Sequence, residues 1–309
     1  MKLEGLHHIT MITGDARATV DFYADLLGLR LVKKTVNFDA PEAYHLYFGD
    51  EQGSPGSILT WFEFAGAQPG TAGAGMVHTL QLGVRAPAAL EFWEARLGAA
   101  GHATERTPDG LAFRDHDGLR LELVVDADGP ELRAEHPDVP VEHALLGMRG
   151  ARAYAGRALD ADRALLTETL GFTETGEGAY LVEGGDQRFR WAYDVATARG
   201  RQGAGTVHHI AWHARDADHV AWQERAARAG MRVTPVIDRD YFDAIYFQQP
   251  QGILFEIATT SPGFAVDEDP RHLGEALRLP RQHERLRPQL ERILAPIDNT
   301  RTAGATPAG

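Results

Sequence analysis

The sequence has no cysteine among its 309 residues. This absence excludes disulfides, catalytic thiolates, iron–sulfur clusters and cysteine-ligated zinc. Any bound metal must therefore be held by His, Asp, Glu or other oxygen ligands.

Long apolar runs are absent as well. No run of 18 apolar residues occurs, and the opening MKLEGLHHIT lacks the apolar core of a signal peptide. Basic residues are outnumbered, 31 against 44 acidic, which gives a net charge of −13 and disfavours nucleic acid and anionic membranes as partners. We therefore expect a cytoplasmic protein that binds neither nucleic acid nor membrane.

What the sequence does contain is a fourfold repeat, which is the first feature to seek in a chain of this length. Each segment has a short apolar strand, an amphipathic helix that ends at a glycine, and further strand-like stretches. The segments open with LHHITMIT, VHTLQLGV, GMRGARAYA and VHHIAWHA, and the last one continues through a predicted strand, MRVTPVI. The expected helix stops, each in the left-handed conformation, are Gly28, Gly98, Gly171 and Gly230.

Four repeats of this kind predict an α+β protein built from four βαβββ modules that form curved mixed sheets. We expect an N-terminal pair of modules at residues 1–135 and a C-terminal pair at 140–261, joined by a linker rich in Asp, Glu and Pro. The remaining tail, 262–309, could pack on the body, form a contact in a homo-oligomer, or fray.

Histidines recur in the first strands of three modules, as His8, His78 and His209, and we align the three at one register position. In the last strands, alignment on the preceding glycine places Glu256 and Glu122 at one position, which Thr60 fills in module one. A glutamate inside an apolar strand is costly to bury unless it is paired or bound to a metal. These positions are therefore candidate metal ligands.

Two histidines and one carboxylate leave three coordination positions open, which is the arrangement of non-haem Fe(II) oxygenases. Two sets can be drawn from this sequence: one joins modules one and four, and the other joins modules one and two. Only modules one and four carry a His-His doublet, which favours the first set, but the spacing leaves both open. The sets are His8, His209 and Glu256, or His8, His78 and Glu122.

Longer stretches show a family resemblance that covers nearly the whole chain. They are LHHIT, LGLRLVKKTVNFD, YHLYFGDEQGSPGSILTWF, VHHIAW, DRDYFDAIYFQQPQGILFEIAT and SPGFAVDEDPRHLGEALRLP. These stretches resemble the vicinal oxygen chelate superfamily, which includes glyoxalase I, bleomycin-resistance proteins and extradiol dioxygenases. Within it, the chain looks most like the hydroquinone-type ring-cleaving dioxygenases.

The resemblance implies a non-haem Fe(II), extradiol-type ring-cleaving dioxygenase that acts on a small aromatic diol with O₂. It implies that His8, His209 and Glu256 bind Fe(II), for which Mn(II) could substitute. It also implies catalytic roles around the metal for His7, His208, Thr10, Arg239 and Tyr246. The chain departs from the family pattern at Asp240, where a glycine is expected.

Two other functions fit the same fold. A glyoxalase-like isomerase or lyase would use a redox-inert metal as a Lewis acid. It would need a second carboxylate where Thr60 stands. A protein that only sequesters an aromatic compound would not need the full ligand set.

Several other side chains have alternative interpretations. Arg239 could either serve the site or form a surface ion pair with the flanking Asp238 or Asp240. Trp61 and Phe62 could line a cavity, although a core position is favoured for both. For His45, a structural role is expected.

Overall fold

Two eight-stranded sheets form the frame of the protein in a computed structural model that describes residues 1–298. The strands are β1 (Gly5–Thr13), β2 (Arg30–Val36), β3 (Tyr44–Gly49), β4 (Ile58–Glu63), β5 (Met76–Val84), β6 (Thr104–Arg106), β7 (Gly110–Arg114), β8 (Arg120–Val125), β9 (Met148–Ala155), β10 (Thr173–Gly176), β11 (Ala179–Gly184), β12 (Gln187–Val195), β13 (Thr206–His213), β14 (Ile237–Asp238), β15 (Asp243–Gln248) and β16 (Leu254–Ala258).

The strand order shows how the modules pair. The first sheet runs β14-β15-β16-β13-β1-β4-β3-β2 and the second β10-β11-β12-β9-β5-β8-β7-β6. Module one thus shares a sheet with module four, and module two with module three. The α+β fold of four repeated modules is confirmed, but each sheet draws on both predicted ranges, 1–135 and 140–261, so these ranges do not correspond to the two sheets.

The helices are short and lie beside the sheets. They are α1 (Ala16–Val20), which continues as a π-helical stretch Asp21–Leu26, α2 (Pro87–Ala99), α3 (His219–Arg228) and α4 (Arg287–Ile293). In module three the helix is reduced to a π-helical stretch, Leu165–Thr169. The Asp15 side chain caps α1 by accepting a hydrogen bond from the backbone of Ala18. No helix in the described part of the chain is long and apolar enough to cross a membrane.

Three of the four predicted glycine stops have the expected left-handed backbone, and Gly98 does not. Helix α2 continues through Gly98 to Ala99, and Gly101 takes the positive φ of 84°. The backbone of His102 bonds the carbonyl of Leu97 at 2.9 Å and that of Gly101 bonds Gly98 at 3.0 Å. This paired arrangement satisfies two terminal carbonyls, which places the stop at the second glycine.

The predicted strand MRVTPVI is also largely wrong. Residues 231–236 are irregular, and only Ile237 and Asp238 pair with β15. Thr234 still bonds the backbone of Tyr246 in both directions, at 3.0 Å each. Pro235, which lacks an N–H, cannot continue the ladder, so the segment approaches β15 at one point and then leaves it.

The described part of the tail packs on module one, as one of the three expectations proposed. Lys34 pairs with Leu277 and donates through Nζ to the carbonyl of Ile297 at 2.7 Å. The hydroxyl of Tyr44 donates to the carbonyl of Ala295 at 2.8 Å. Residues 299–309 lie outside the described residues.

Candidate active site

Two β-bulges in the pairing of β1 with β13 shape the centre of the first sheet. Leu6 pairs with Trp212 and His8 with Ala211, so His7 is an extra residue in β1. A second bulge lies in β13. Thr10 pairs with His209 and Met11 with Val207, so His208 is an extra residue in β13. Successive strand residues normally face opposite sides, and a bulge re-aims them. The two imidazole rings of each doublet can therefore contact each other.

The second histidine of each doublet points at one shared carboxylate. The Nε2 atoms of His8 and His209 lie 3.3 Å apart, and they lie 3.4 and 2.9 Å from Oε2 of Glu256. The three side chains are 2%, 4% and 0% exposed. Within residues 1–298, no other His, Asp or Glu trio has its ligand atoms within 4.8 Å of one another. The structure thus brings the first predicted set together.

The bonding of Glu256 fits a metal ion. Neither carboxylate oxygen, both fully buried, accepts a well-directed hydrogen bond from the described residues. Burial raises the pKa of Glu256, but the adjacent His8 and His209 outweigh that effect and hold it well below its usual range. Burial also lowers the pKa of His209, which favours the neutral imidazole that ligates metals. A buried, ionised and donor-poor carboxylate beside two imidazoles suits a divalent cation.

The first histidine of each doublet contacts the second at Nδ1, the ring nitrogen that is not directed at Glu256. Nδ1 of His7 lies 2.8 Å from Nδ1 of His8, and Nδ1 of His208 lies 2.8 Å from Nδ1 of His209. If the second histidine donates through Nδ1, its Nε2 lone pair is free for a metal, as outer-sphere partners commonly ensure. Burial, together with the neighbouring His8, lowers the pKa of His7 well below its usual range. His7 is buried, whereas His208 is exposed and lines the cavity in front of the trio.

That cavity has a volume of about 440 Å³ and is lined largely by aromatic and imidazole rings. Arg239 lines it and donates through Nε to the hydroxyl of Tyr246 at 3.2 Å. Burial raises the pKa of Tyr246 well above its usual value, so its hydroxyl stays protonated. Asp238 and Asp240 pair with Arg281, so the flanking partners expected for Arg239 are wrong; Arg239 instead pairs with the exposed Asp39 at 3.4 Å.

The remaining predicted residues differ in whether they line the cavity. Thr10 does not line the cavity; its hydroxyl lies 2.8 Å from that of Thr60. Trp61 packs in the core, as favoured, whereas Phe62 lines the cavity. His45, for which a structural role is expected, also lines the cavity.

Sequence reasoning missed Tyr47 and Phe242, which both line the cavity. Tyr47 carries a usable signal, since it stands two residues from His45 and thus on the same face of β3. Phe242 follows an irregular loop, where no periodicity marks the side that faces the cavity.

The second predicted set is not assembled. His78 and Glu122 lie in the second sheet, where His78 is itself a bulge residue, between Val77 and Thr79. The pair Gln81–Glu122 corresponds to Thr10–Thr60 of the first sheet, which places Thr79 at the register of His8. The predicted alignment of His78 with His8 is therefore wrong: His78 corresponds to His7, since each is the extra residue of its strand.

The second sheet replaces the ligands with other contacts. Gly150 pairs with Gln81 as His209 pairs with Thr10, so neither imidazole position holds a histidine. Glu122 is satisfied by Gln81 at 2.8 Å and by Thr107 at 2.6 Å. A cavity of about 480 Å³ lies on this sheet, and no histidine lines it.

Comparison with known proteins agrees with the fold. The model of the "Glyoxalase/Bleomycin resistance protein/Dioxygenase superfamily" matches residues 5–123 and 153–257. A crystal structure named "putative dioxygenase from Bacillus subtilis subsp. subtilis str. 168" has a TM-score of 0.89 at 42% identity and covers 96% of this chain and 98% of that one. Glyoxalase I from Zea mays shares the fold alone, with a TM-score of 0.60 at 14% identity over 82% and 92% of the two chains.

Among curated proteins, "Putative ring-cleaving dioxygenase MhqO" of Bacillus subtilis (strain 168) is 43% identical over 96% of this chain and 97% of its own. "Chlorohydroquinone/hydroquinone 1,2-dioxygenase" of Sphingobium indicum is 33% identical over 95% and 96%. The chain therefore belongs to the Glyoxalase/Bleomycin resistance protein/Dioxygenase superfamily, where it groups with the hydroquinone-type ring-cleaving dioxygenases.

Proposed function

We propose that this protein is an Fe(II)-dependent dioxygenase that cleaves the ring of a hydroquinone-type aromatic diol with O₂. The carrying observation is the buried trio of His8, His209 and Glu256, which opens onto a cavity large enough for one substituted ring. The names of the relatives support the reaction class, and the trio supports the metal. Mn(II) suits the same nitrogen and oxygen donors, so metal identity needs its own measurement.

Bound iron would supply a redox-active centre with open positions for a phenolate oxygen and for O₂. The protein's own part is to bind and orient the ring. The rings of Phe62 and Phe242 line the cavity and can pack on the two faces or edges of an aromatic substrate.

The polar groups of the cavity match a phenol that must lose and regain a proton. Arg239 is a permanent cation, which stabilises a nearby phenolate oxygen. The Tyr246 hydroxyl accepts from Arg239, so its own proton is available to a substrate oxygen. His208 lines the cavity, and because its Nδ1 accepts from His209 in the metal-binding tautomer, its Nε2–H can donate to a substrate oxygen and return a proton to it. His7 lies behind His8 and orients it.

The glyoxalase-like alternative lacks a group that it needs. At the register of Glu256, module one has Thr60, whose hydroxyl contacts Thr10 and His45, and no carboxylate takes its place. At 14% identity, the likeness to maize glyoxalase I shows the fold alone. A protein that only sequesters aromatic compounds would not require a donor-poor buried carboxylate between two imidazoles.

Oxygen uptake by the Fe(II)-reconstituted protein tests the proposal. We expect a para-hydroquinone to support faster uptake than any catechol, and Zn(II)-loaded protein to support none. Equal or better turnover of catechols would overturn the substrate class. Turnover of a hemithioacetal without O₂ would move the protein to the isomerases. Tight binding of hydroquinones without O₂ uptake by Fe(II)- or Mn(II)-loaded protein would show a sequestering protein.

A further inference from the structure

A row of four buried polar side chains runs under the cavity across strands β3, β4 and β1. The hydroxyl of Tyr47 lies 2.9 Å from Nδ1 of His45, and Nε2 of His45 lies 2.9 Å from the hydroxyl of Thr60. Thr60 in turn lies 2.8 Å from the hydroxyl of Thr10. All four side chains are buried, yet His45 and Tyr47 line the cavity.

The number of donor protons in this row limits the directions that its hydrogen bonds can take. Each of the three hydroxyls has one proton to donate, and a neutral imidazole has one donor and one acceptor nitrogen. The four groups thus offer four donors for three links, so one hydroxyl proton has no acceptor within the row. Burial lowers the pKa of His45 well below its usual value, which excludes a fifth donor on a charged ring.

The spare proton can belong to Thr10, Thr60 or Tyr47, and the surroundings of these hydroxyls differ. Thr10 and Thr60 are both fully buried, and among the described residues their hydroxyls have no hydrogen-bond partner outside the row. A buried donor without an acceptor is costly, whereas a donor that faces a binding cavity gains an acceptor when a ligand enters. The favoured direction is therefore Thr10 to Thr60 to Nε2 of His45, with Nδ1–H of His45 donating to the Tyr47 oxygen.

We propose that Tyr47 is a substrate-binding and specificity-determining residue, which donates its hydroxyl proton to a ring oxygen of the diol and is oriented by His45, Thr60 and Thr10. The inference rests on the proposed function for the identity of the ligand. It also gives Thr10 a role at a distance from the cavity, as the first donor of the row. The Tyr47 ring is held in place by two neighbouring rings, because its centroid lies 5.0 Å from that of Phe264 and 4.0 Å from that of His45.

The test is anaerobic calorimetry of hydroquinone binding to the Fe(II)-loaded protein. Tyr47→Phe removes the hydroxyl and keeps the ring, and we expect about tenfold weaker binding, the size of one lost hydrogen bond. Thr60→Val removes the donor to His45, which lets Tyr47 turn its proton towards Nδ1, so we expect a similar loss. The double variant should bind no more than about twofold more weakly than either single variant, because all three changes remove the same cavity-directed proton.

The matched control is Tyr44→Phe in the same strand, whose hydroxyl donates to Ala295 outside the cavity. It should bind hydroquinone as the wild type does. Thermal unfolding of each variant separates lost binding from lost folding. Unchanged affinity in folded Tyr47→Phe, or additive losses in the double variant, would overturn the inference while leaving the proposed function intact. Failure of the wild type to bind any hydroquinone would overturn both.

Discussion

At the scale of single residues, the choice between the two ligand sets gives the sharpest prediction. Glu256→Ala or His209→Ala should reduce bound iron from one per chain to nearly none, while the protein stays folded. The loss of an outer-sphere partner typically reduces metal affinity about 10–100-fold, so the loss of a ligand should be at least as severe. Iron measured per chain in the purified variants is the readout.

His78→Ala and Glu122→Ala are the controls, because both residues lie in the second sheet. Each should retain one iron per chain, although stability can fall, since His78 bonds Asp194 and Glu122 bonds Gln81. An emptied site in either control, with iron retained in Glu256→Ala, would contradict the assignment.

Asp240 offers a test of backbone conformation at the cavity's edge. It has a φ of 64°, and it is the one non-glycine residue with a positive φ in the described part of the chain. The expectation of a glycine here thus has a physical basis, because a side chain in this region costs about 1–2 kcal/mol. Its carboxylate offsets part of that cost through Arg281, 2.7 Å away, in a pair that is largely solvent-exposed on the arginine side.

We therefore expect Asp240→Ala to unfold with a free energy about 1 kcal/mol lower than that of Asp240→Gly. Both variants lose the ion pair with Arg281, so the difference between them isolates the backbone term. Urea denaturation of the two variants measures it. An alanine variant as stable as the glycine variant would show that the left-handed conformation carries no strain.

At the scale of elements, the site could be predicted better than the segments around it. The doublets in β1 and β13 and the glutamate in β16 are visible as letters in apolar strands, and the structure joins them. The bulges are not visible, because an extra residue leaves no mark on a pattern of alternating polarity. The alignment of His78 with His8 has another cause: module two has a single histidine in this strand, and matching VHT to LHH residue by residue places His78 at His7 and Thr79 at His8. The irregular segment before β14 was predicted as a strand because its composition is strand-like apart from one proline.

The same bulge gives His78 a structural contact with a measurable pH dependence. Asp194 accepts hydrogen bonds from Arg152 at 2.5 and 2.9 Å and from His78 at 2.9 Å, which ties β12 to β9 and β5. Burial raises the pKa of Asp194, but these hydrogen bonds outweigh it and leave the pKa below its usual value. A carboxyl with a lowered folded-state pKa stabilises the protein above its unfolded-state pKa of about 4 and loses that contribution as the pH falls.

Asp194→Asn should therefore lower the free energy of unfolding at pH 7 and flatten its decline between about pH 5 and 3. Urea denaturation at a series of pH values measures this. Asp186→Asn, an exposed position in the turn between β11 and β12, should leave the profile unchanged. A parallel downward shift of the whole profile in Asp194→Asn, with an unaltered slope, would contradict the assignment of the pH dependence to this carboxyl.

At the scale of the whole molecule, the repeat predicts four modules but does not by itself predict their partners. The doublet was the one clue that modules one and four share a sheet, because the two-fold relation places His8 opposite Ala211 and His209 opposite Thr10. The second sheet repeats the frame with Thr79 and Gly150 at those positions. The same strand arrangement thus occurs in both sheets, but only the first sheet has histidines at the two ligand positions.

The tail was the least predictable part, because most of the contacts described for it join residues more than 200 positions apart. Lys33 is fully buried in β2, and its Nζ pairs with Asp267 at 2.5 Å and with Glu268. Further along the tail, Arg281 pairs with Asp240, and His283 contacts the carbonyl of Phe38 at 2.8 Å. The tail thus holds two loops that border the cavity.

Glu268→Ala tests how the tail is anchored. Removing one partner of a buried ion pair typically costs about 3–5 kcal/mol, and the partly exposed Asp267 remains to compensate, so we expect a loss of about 3 kcal/mol in the free energy of unfolding. Glu291→Ala breaks an exposed helical pair with Arg287 and should cost less than about 0.5 kcal/mol. Iron content should be unchanged in both variants, because neither residue lies near the trio in β1, β13 and β16. Equal stability of the two variants would contradict the buried pair as the anchor, and loss of iron in Glu268→Ala alone would show that the tail also holds the metal site in place.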